Sequence, residues 1–108
     1  SWPYLGTVGS LPAPIPLSGS ATFGENRSYY ETFQGNRTFM ALPQETAPNY
    51  SKIVLYAKAV VPVDLIFHTT NPTLEEAGVG TVTAPLALSA GWHVLTFERV
   101  NGEWILSR

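Results

Sequence analysis

From Ala21 onward the chain consists of short apolar runs separated by clusters of Gly, Asn, Asp, Ser and Pro. Turn chemistry returns about every 8 to 12 residues, which is the signature of an all-β sandwich or barrel and not of a helical bundle. The runs predict strands near 21–24, 28–33, 37–41, 51–58, 62–69, 79–84, 86–89, 92–100 and 103–107. Between two of them, Thr70-Asn-Pro-Thr-Leu-Glu-Glu-Ala-Gly78 offers an N-cap, a proline at a first helical position, acids in the first turn and a closing glycine. That grammar predicts a single helical turn.

One phrase occurs twice. FGENRSYY from Phe23 is echoed ten residues later by FQGNRTFM. GENR and QGNR are turns, each feeding a strand, so the echo reads as one strand-and-turn module of a meander used twice.

The last segment, WHVLTFERV-NG-EWILSR, predicts a hairpin closed by Asn101-Gly102 in a type I′ turn. Such a turn sets Val100 opposite Glu103, Arg99 opposite Trp104 and Phe97 opposite Leu106. Leu95, Phe97, Trp104 and Leu106 then share one face, with Arg99 over the Trp104 ring, and this face is a core or a subunit interface.

Residues 1–20 differ from the rest. Residues 1–24 carry no charge, and Pro3, Pro12, Pro14 and Pro16 force extended or polyproline geometry. Flexible linkers are polar, whereas this stretch holds Trp2, Tyr4, Leu5, Val8, Leu11, Ile15 and Leu17. It reads as an arm that lies on something: its own domain, a sister subunit or another protein. The expected organisation is therefore an extended Pro-rich N-terminal arm over 1–20 and a β-sandwich or jelly-roll-like head over 21–108.

At 108 residues the chain can bury only about two thirds of the surface it exposes unfolded, so help from oligomerisation is expected. The net charge of −2 provides no footprint for nucleic acid or anionic lipid, and no apolar run approaches the roughly 18 residues of a membrane span. Without cysteine there is no disulfide framework, no thiolate nucleophile and no zinc-finger spacing.

Catalytic signals are thin. Asp64 and His68 share a strand face about 13 Å apart, too far for a base and its orienting carboxylate. His68 and His93 lack a ligand-spaced partner, and Glu75-Glu76 is explained by a helix start. No nucleophile elbow, P-loop or dinucleotide fingerprint occurs. The expectation is a non-enzyme with no cofactor and no metal.

Asn26-Arg-Ser, Asn36-Arg-Thr and Asn49-Tyr-Ser fit the N-glycosylation triplet, but two of them belong to the turn echo, where Asn serves the backbone. Tyr29, Tyr30, Tyr50 and Trp92 are candidates for an aromatic sugar-binding face. Strand alternation lets at most one of Tyr29 and Tyr30 face outward.

Over about two thirds of the chain, TFMALPQETAPNYSKIVLYAK, VPVDLIFHTT, a GTV strand and LALSAGWHVLTFERVNGEWILSR resemble the small β modules at the tips of bacteriophage tail fibres and tail needles. Leu88, Gly91, Val94, Gly102, Trp104 and Leu106 carry the closing pattern. Such modules are usually homotrimers. In size and layout, an arm joined to a compact β head, the chain also resembles phage capsid decoration (cement) proteins. That resemblance implies a virion protein on the outer surface of the capsid, whose arm binds the major capsid protein. The tail-tip resemblance implies the alternative, a reader of a cell-surface glycan or protein receptor.

Overall fold

The computed structural model describes residues 7–8, 11–17, 23–43, 47–68, 73–83 and 85–108. Among the described residues it is all-β, with β1 (Thr7–Val8), β2 (Leu11–Pro12), β3 (Ile15–Pro16), β4 (Arg27–Phe33), β5 (Arg37–Ala41) and β6 (Lys52–Ala59) in the first half. The second half holds β7 (Val63–His68), β8 (Leu74–Glu76), β9 (Gly80–Thr81), β10 (Leu86–Leu88), β11 (Gly91–Val100) and β12 (Glu103–Ser107). A mixed seven-stranded sheet runs in the order β3-β4-β6-β11-β12-β8-β9, a three-stranded sheet in the order β10-β7-β5, and β1 pairs with β2.

The Asn101-Gly102 turn has φ values of 49° and 78°, as a type I′ turn requires. It sets Val100 opposite Glu103, Arg99 opposite Trp104 and Phe97 opposite Leu106, the register expected from the sequence. β11 then pairs antiparallel with β6 along its other edge, from Gly91↔Ala59 to Glu98↔Lys52.

The echoed phrase does not build a meander. β4 pairs in parallel with β6 in the large sheet, whereas β5 pairs in parallel with β7 in the small one. The two asparagines nevertheless do the same job. Asn26 Oδ1 accepts from the Lys52 amide at 3.1 Å, and Asn36 Oδ1 accepts from the Asp64 amide at 2.8 Å. Each turn thus anchors the start of the parallel strand that its own following strand will join.

Two predicted elements change. Leu74–Glu76 is a strand parallel to β12, with Leu74 opposite Trp104, and no helical turn forms there. The gain is core burial: Leu74 is buried, and the Ala77 amide donates to the Leu106 carbonyl at 2.8 Å. The predicted strand at 21–24 is also absent from its described part, Phe23-Gly24. Phe23 is a core plug instead, with its ring 5.2 Å from Tyr29, 6.3 Å from Phe67 and 6.2 Å from Phe97.

The two larger sheets share one core. Leu65 and Leu88 from the small sheet lie in the same buried cluster as Ile53, Leu55, Leu95, Phe97, Trp104 and Leu106 from the large one. Phe67 of β7 meets Phe97 of β11 with ring centroids 5.2 Å apart. At about 1.5 to 3 kcal/mol per fully buried large apolar side chain, this cluster is the main term holding the chain folded. Trp104 adds a polar tie, its indole N–H donating to the Pro43 carbonyl at 2.6 Å.

Candidate binding face

The large sheet has an inner face on the core and an outer face, and alternation along β4, β6 and β11 decides which side chain goes where. Inward go Tyr29 and Phe33, then Ile53, Leu55, Ala57 and Ala59, then Leu95 and Phe97, all buried. Outward go Ser28, Tyr30 and Thr32, then Val54, Tyr56 and Lys58, then Trp92, Val94 and Thr96. Register arranges the outward residues in rows across the strands: Thr32, Lys58 and Trp92; then Tyr30, Tyr56 and Val94; then Ser28, Val54 and Thr96.

The third row is covered. Ser28 and Val54 are buried although they point away from the core cluster, and Leu11 is likewise buried outside that cluster. The covering segment is β2, where the Ser28 hydroxyl donates to the Pro12 carbonyl at 3.0 Å. From there the chain reaches the sheet edge, where β3 pairs in parallel with β4 and Pro16 sits in an edge strand that tolerates its missing N–H. The Leu17 amide donates to the Tyr30 carbonyl at 3.0 Å, and the Leu17 side chain enters the main core.

The expected arm residues are thus split. Leu11 and Leu17 are consumed inside this chain, and Ile15 is 36% exposed. Trp2, Tyr4 and Leu5 lie outside the described residues, as does the side chain of Val8, whose backbone is in β1.

In the first two rows Tyr30, Thr32, Lys58, Trp92 and Val94 are exposed and Tyr56 is half-buried. Trp92 is 69% exposed, Val94 50% and Tyr30 48%. Val60 and Val61, 53% and 44% exposed, follow the end of β6. Lys58 carries the one charge within these rows, with its ammonium 5.8 Å from the Trp92 ring centroid. Among the described residues, no strand flanks the 91–95 half of β11 on the side away from β6.

Of the four aromatic candidates, Tyr30 and Trp92 share this face. Tyr29 is buried, its hydroxyl accepting from the Gly24 amide at 2.7 Å. Tyr50 is exposed but lies at the far end of the sheet, where its amide donates to the Arg99 carbonyl at 2.6 Å. Sequence reading missed Val94, Tyr56 and Lys58 as parts of the face. The signal was present in the hairpin, because placing Leu95 and Phe97 inward places Trp92 and Val94 outward.

Other candidates resolve differently. Leu95, Phe97, Trp104 and Leu106 are fully buried by this chain's own side chains, and buried Arg99 has its guanidinium 5.8 Å from the Trp104 ring centroid. They are core. His93 Nε2 donates to the Ser89 carbonyl at 2.7 Å, while the His68 side chain lies outside the described residues. Glu75 accepts from the Thr81 hydroxyl at 2.6 Å and Glu76 pairs with Arg108 at 2.8 Å, so neither acid serves a helix terminus. Asn49, like Asn26 and Asn36, uses its side-chain oxygen on the backbone, accepting from the Gly102 amide at 3.0 Å.

Among the described residues, no three His, Cys, Asp or Glu side chains gather to hold a metal, and no helix is long and apolar enough to cross a membrane. No protein-family model matches the chain, and no curated protein or solved structure matches it either.

Proposed function

We propose that this chain is a structural protein of a tailed-phage particle, a non-enzymatic β head that decorates and cements the capsid. The observation that carries this reading is the exposed outer face, with Trp92, Val94 and Tyr30 held on the seven-stranded sheet. Contiguous apolar surface on a small soluble domain marks an interaction site. The phage context comes from the resemblance of the strand and hairpin pattern to virion modules.

In this reading the head is a two-layer sandwich of jelly-roll kind, with the small sheet as its second layer, supported by the shared Phe67–Phe97 core. The outer face is an assembly surface, covered by a neighbouring subunit in the particle. The arm acts with it. Since Leu11 and Leu17 are used at home, contact with the major capsid protein falls to Ile15 and to Trp2, Tyr4, Leu5 and Val8.

The test is immunogold labelling of intact particles with an antibody raised against residues 25–108. Gold spread over the shell, with decoration reduced by Trp92→Asp, is the expected result. Gold confined to the tail end would overturn cementing and favour a receptor-binding tip.

A further inference from the structure

The tip of the last hairpin is clamped from outside. Asn49 Oδ1 accepts from the Gly102 amide at 3.0 Å, the Tyr50 amide donates to the Arg99 carbonyl at 2.6 Å, and the Arg99 amide donates to the Ser51 carbonyl at 2.9 Å. Ser51 braces the clamp, its hydroxyl donating to the Pro48 carbonyl at 2.7 Å and its amide to the same carbonyl at 3.2 Å. Holding it together strains the backbone, because Tyr50 sits at φ 71°, a region a bulky L-residue rarely adopts. Strain that the surrounding bonds keep in place is a mark of sites with a task.

What the clamp holds is the chain's one Asn-Gly pair, Asn101-Gly102. In such a pair the backbone nitrogen of the glycine is the least hindered nucleophile the chain can set beside a side-chain amide. Asn101 is exposed, and at Gly102 there is open space where a Cβ would go, so packing shuts out neither water nor the attacking atom. The reaction available is deamidation. The Gly102 nitrogen gives up its proton and bonds to Asn101 Cγ, the Cγ–Nδ2 bond breaks, and ammonia leaves with the proton as a succinimide ring closes. Water then opens the ring at either carbonyl, leaving aspartate or isoaspartate at position 101.

The bond from Gly102 to Asn49 opposes the first step. It engages the proton that has to leave and holds the nitrogen in its place in the turn.

We propose that Asn101 is a site of spontaneous deamidation and that Asn49, positioned by the strained turn at Tyr50, is the residue that slows it while the hairpin is closed. Isoaspartate adds a backbone carbon to a two-residue turn, so conversion undoes the register that sets Val100 opposite Glu103.

Peptide mapping by mass spectrometry tests this, following each asparagine during incubation of the full chain in mildly alkaline buffer at physiological temperature. In the wild type, conversion at Asn101 is expected to be slow when folded and fast in urea, ahead of the other asparagines. Asn49→Ala is expected to speed conversion of the folded chain about 3–10-fold, the factor one lost hydrogen bond is worth. Asn49→Asp keeps the acceptor and should return the rate close to the wild type. Asn36→Ala, which removes a comparable bond from the start of β7, controls for a general loss of stability and should leave the rate at Asn101 nearly unchanged.

No preference for Asn101 in the urea-unfolded chain would overturn the modification site. An unchanged rate in Asn49→Ala, an equal acceleration by Asn36→Ala, or an Asn49→Asp variant as fast as Asn49→Ala would remove Asn49 as its guard.

Discussion

At Tyr50 the backbone is held at φ 71°, a region that strains a bulky L-residue by about 1–3 kcal/mol. The strain is tied to the end of β11, because the Tyr50 amide donates to the Arg99 carbonyl while the Arg99 amide donates to the Ser51 carbonyl at 2.9 Å. The ring itself is exposed and contributes little packing. Tyr50→Asn, which tolerates this conformation, should therefore stabilise the protein by up to about 1 kcal/mol, read as a melting temperature raised by a few degrees. A fall on thermal denaturation would mean that the ring has a partner its exposure hides. Gly102 is the converse case. It sits at φ 78° with open space where a Cβ would go, so Gly102→Ala meets no clash and only a backbone penalty. The expected loss is about 1 kcal/mol, or roughly 4–8 °C in a domain of this size. Asn101-Gly102 was legible from sequence because a two-residue I′ turn has a narrow chemistry, and strand alternation foresaw that at most one of Tyr29 and Tyr30 faces outward, without saying which.

At the scale of elements, local grammar stops being sufficient. The two N-R turns are nearly the same words, yet β4 and β5 enter different sheets, since the choice is made by the distant strands β6 and β7. Thr70 to Gly78 carries every mark of a helix start, but Leu74 gains more by pairing beside Trp104 in the core than a lone turn gains from its cap. The outer face was half legible: alternation gave its direction, and only the register across β4, β6 and β11 brought Tyr30 and Trp92 together. The shared role of the two asparagines gives a paired prediction. Asn36→Ala should cost about 0.5–1.5 kcal/mol, seen as a lower urea midpoint, and Asn26→Ala more, because each removes an acceptor from a strand-opening amide and Asn26 also holds φ 57°, which alanine tolerates poorly. Asn36→Asp keeps the acceptor and should recover most of the loss. An equal loss for both Asn36 variants would show that the amide group matters for some other reason.

For the whole molecule, stability is concentrated where the two sheets meet. Phe97 touches Phe23 and Phe67 in a cluster with little room to collapse, and Phe97→Ala should cost about 3–5 kcal/mol. Against a total of about 5–15 kcal/mol for a typical domain, that is enough to leave much of the population unfolded at 37 °C, measurable by urea titration at 25 °C. Full retention of the wild-type midpoint would mean that the small sheet closes over the core without Phe97. The nesting of strands has a further consequence for the order in which the molecule forms. β4 requires β6 as its neighbour, and β6 requires β11 on its other edge, while within the seven-stranded sheet it is β11 and β12 that are joined by a two-residue turn. On a ribosome, the parallel strands of the first half are therefore made long before the hairpin that flanks them. Until residues 91–107 emerge, β4 and β6 expose unpaired edges and apolar faces, so the nascent chain is open to pairing with its neighbours over that interval.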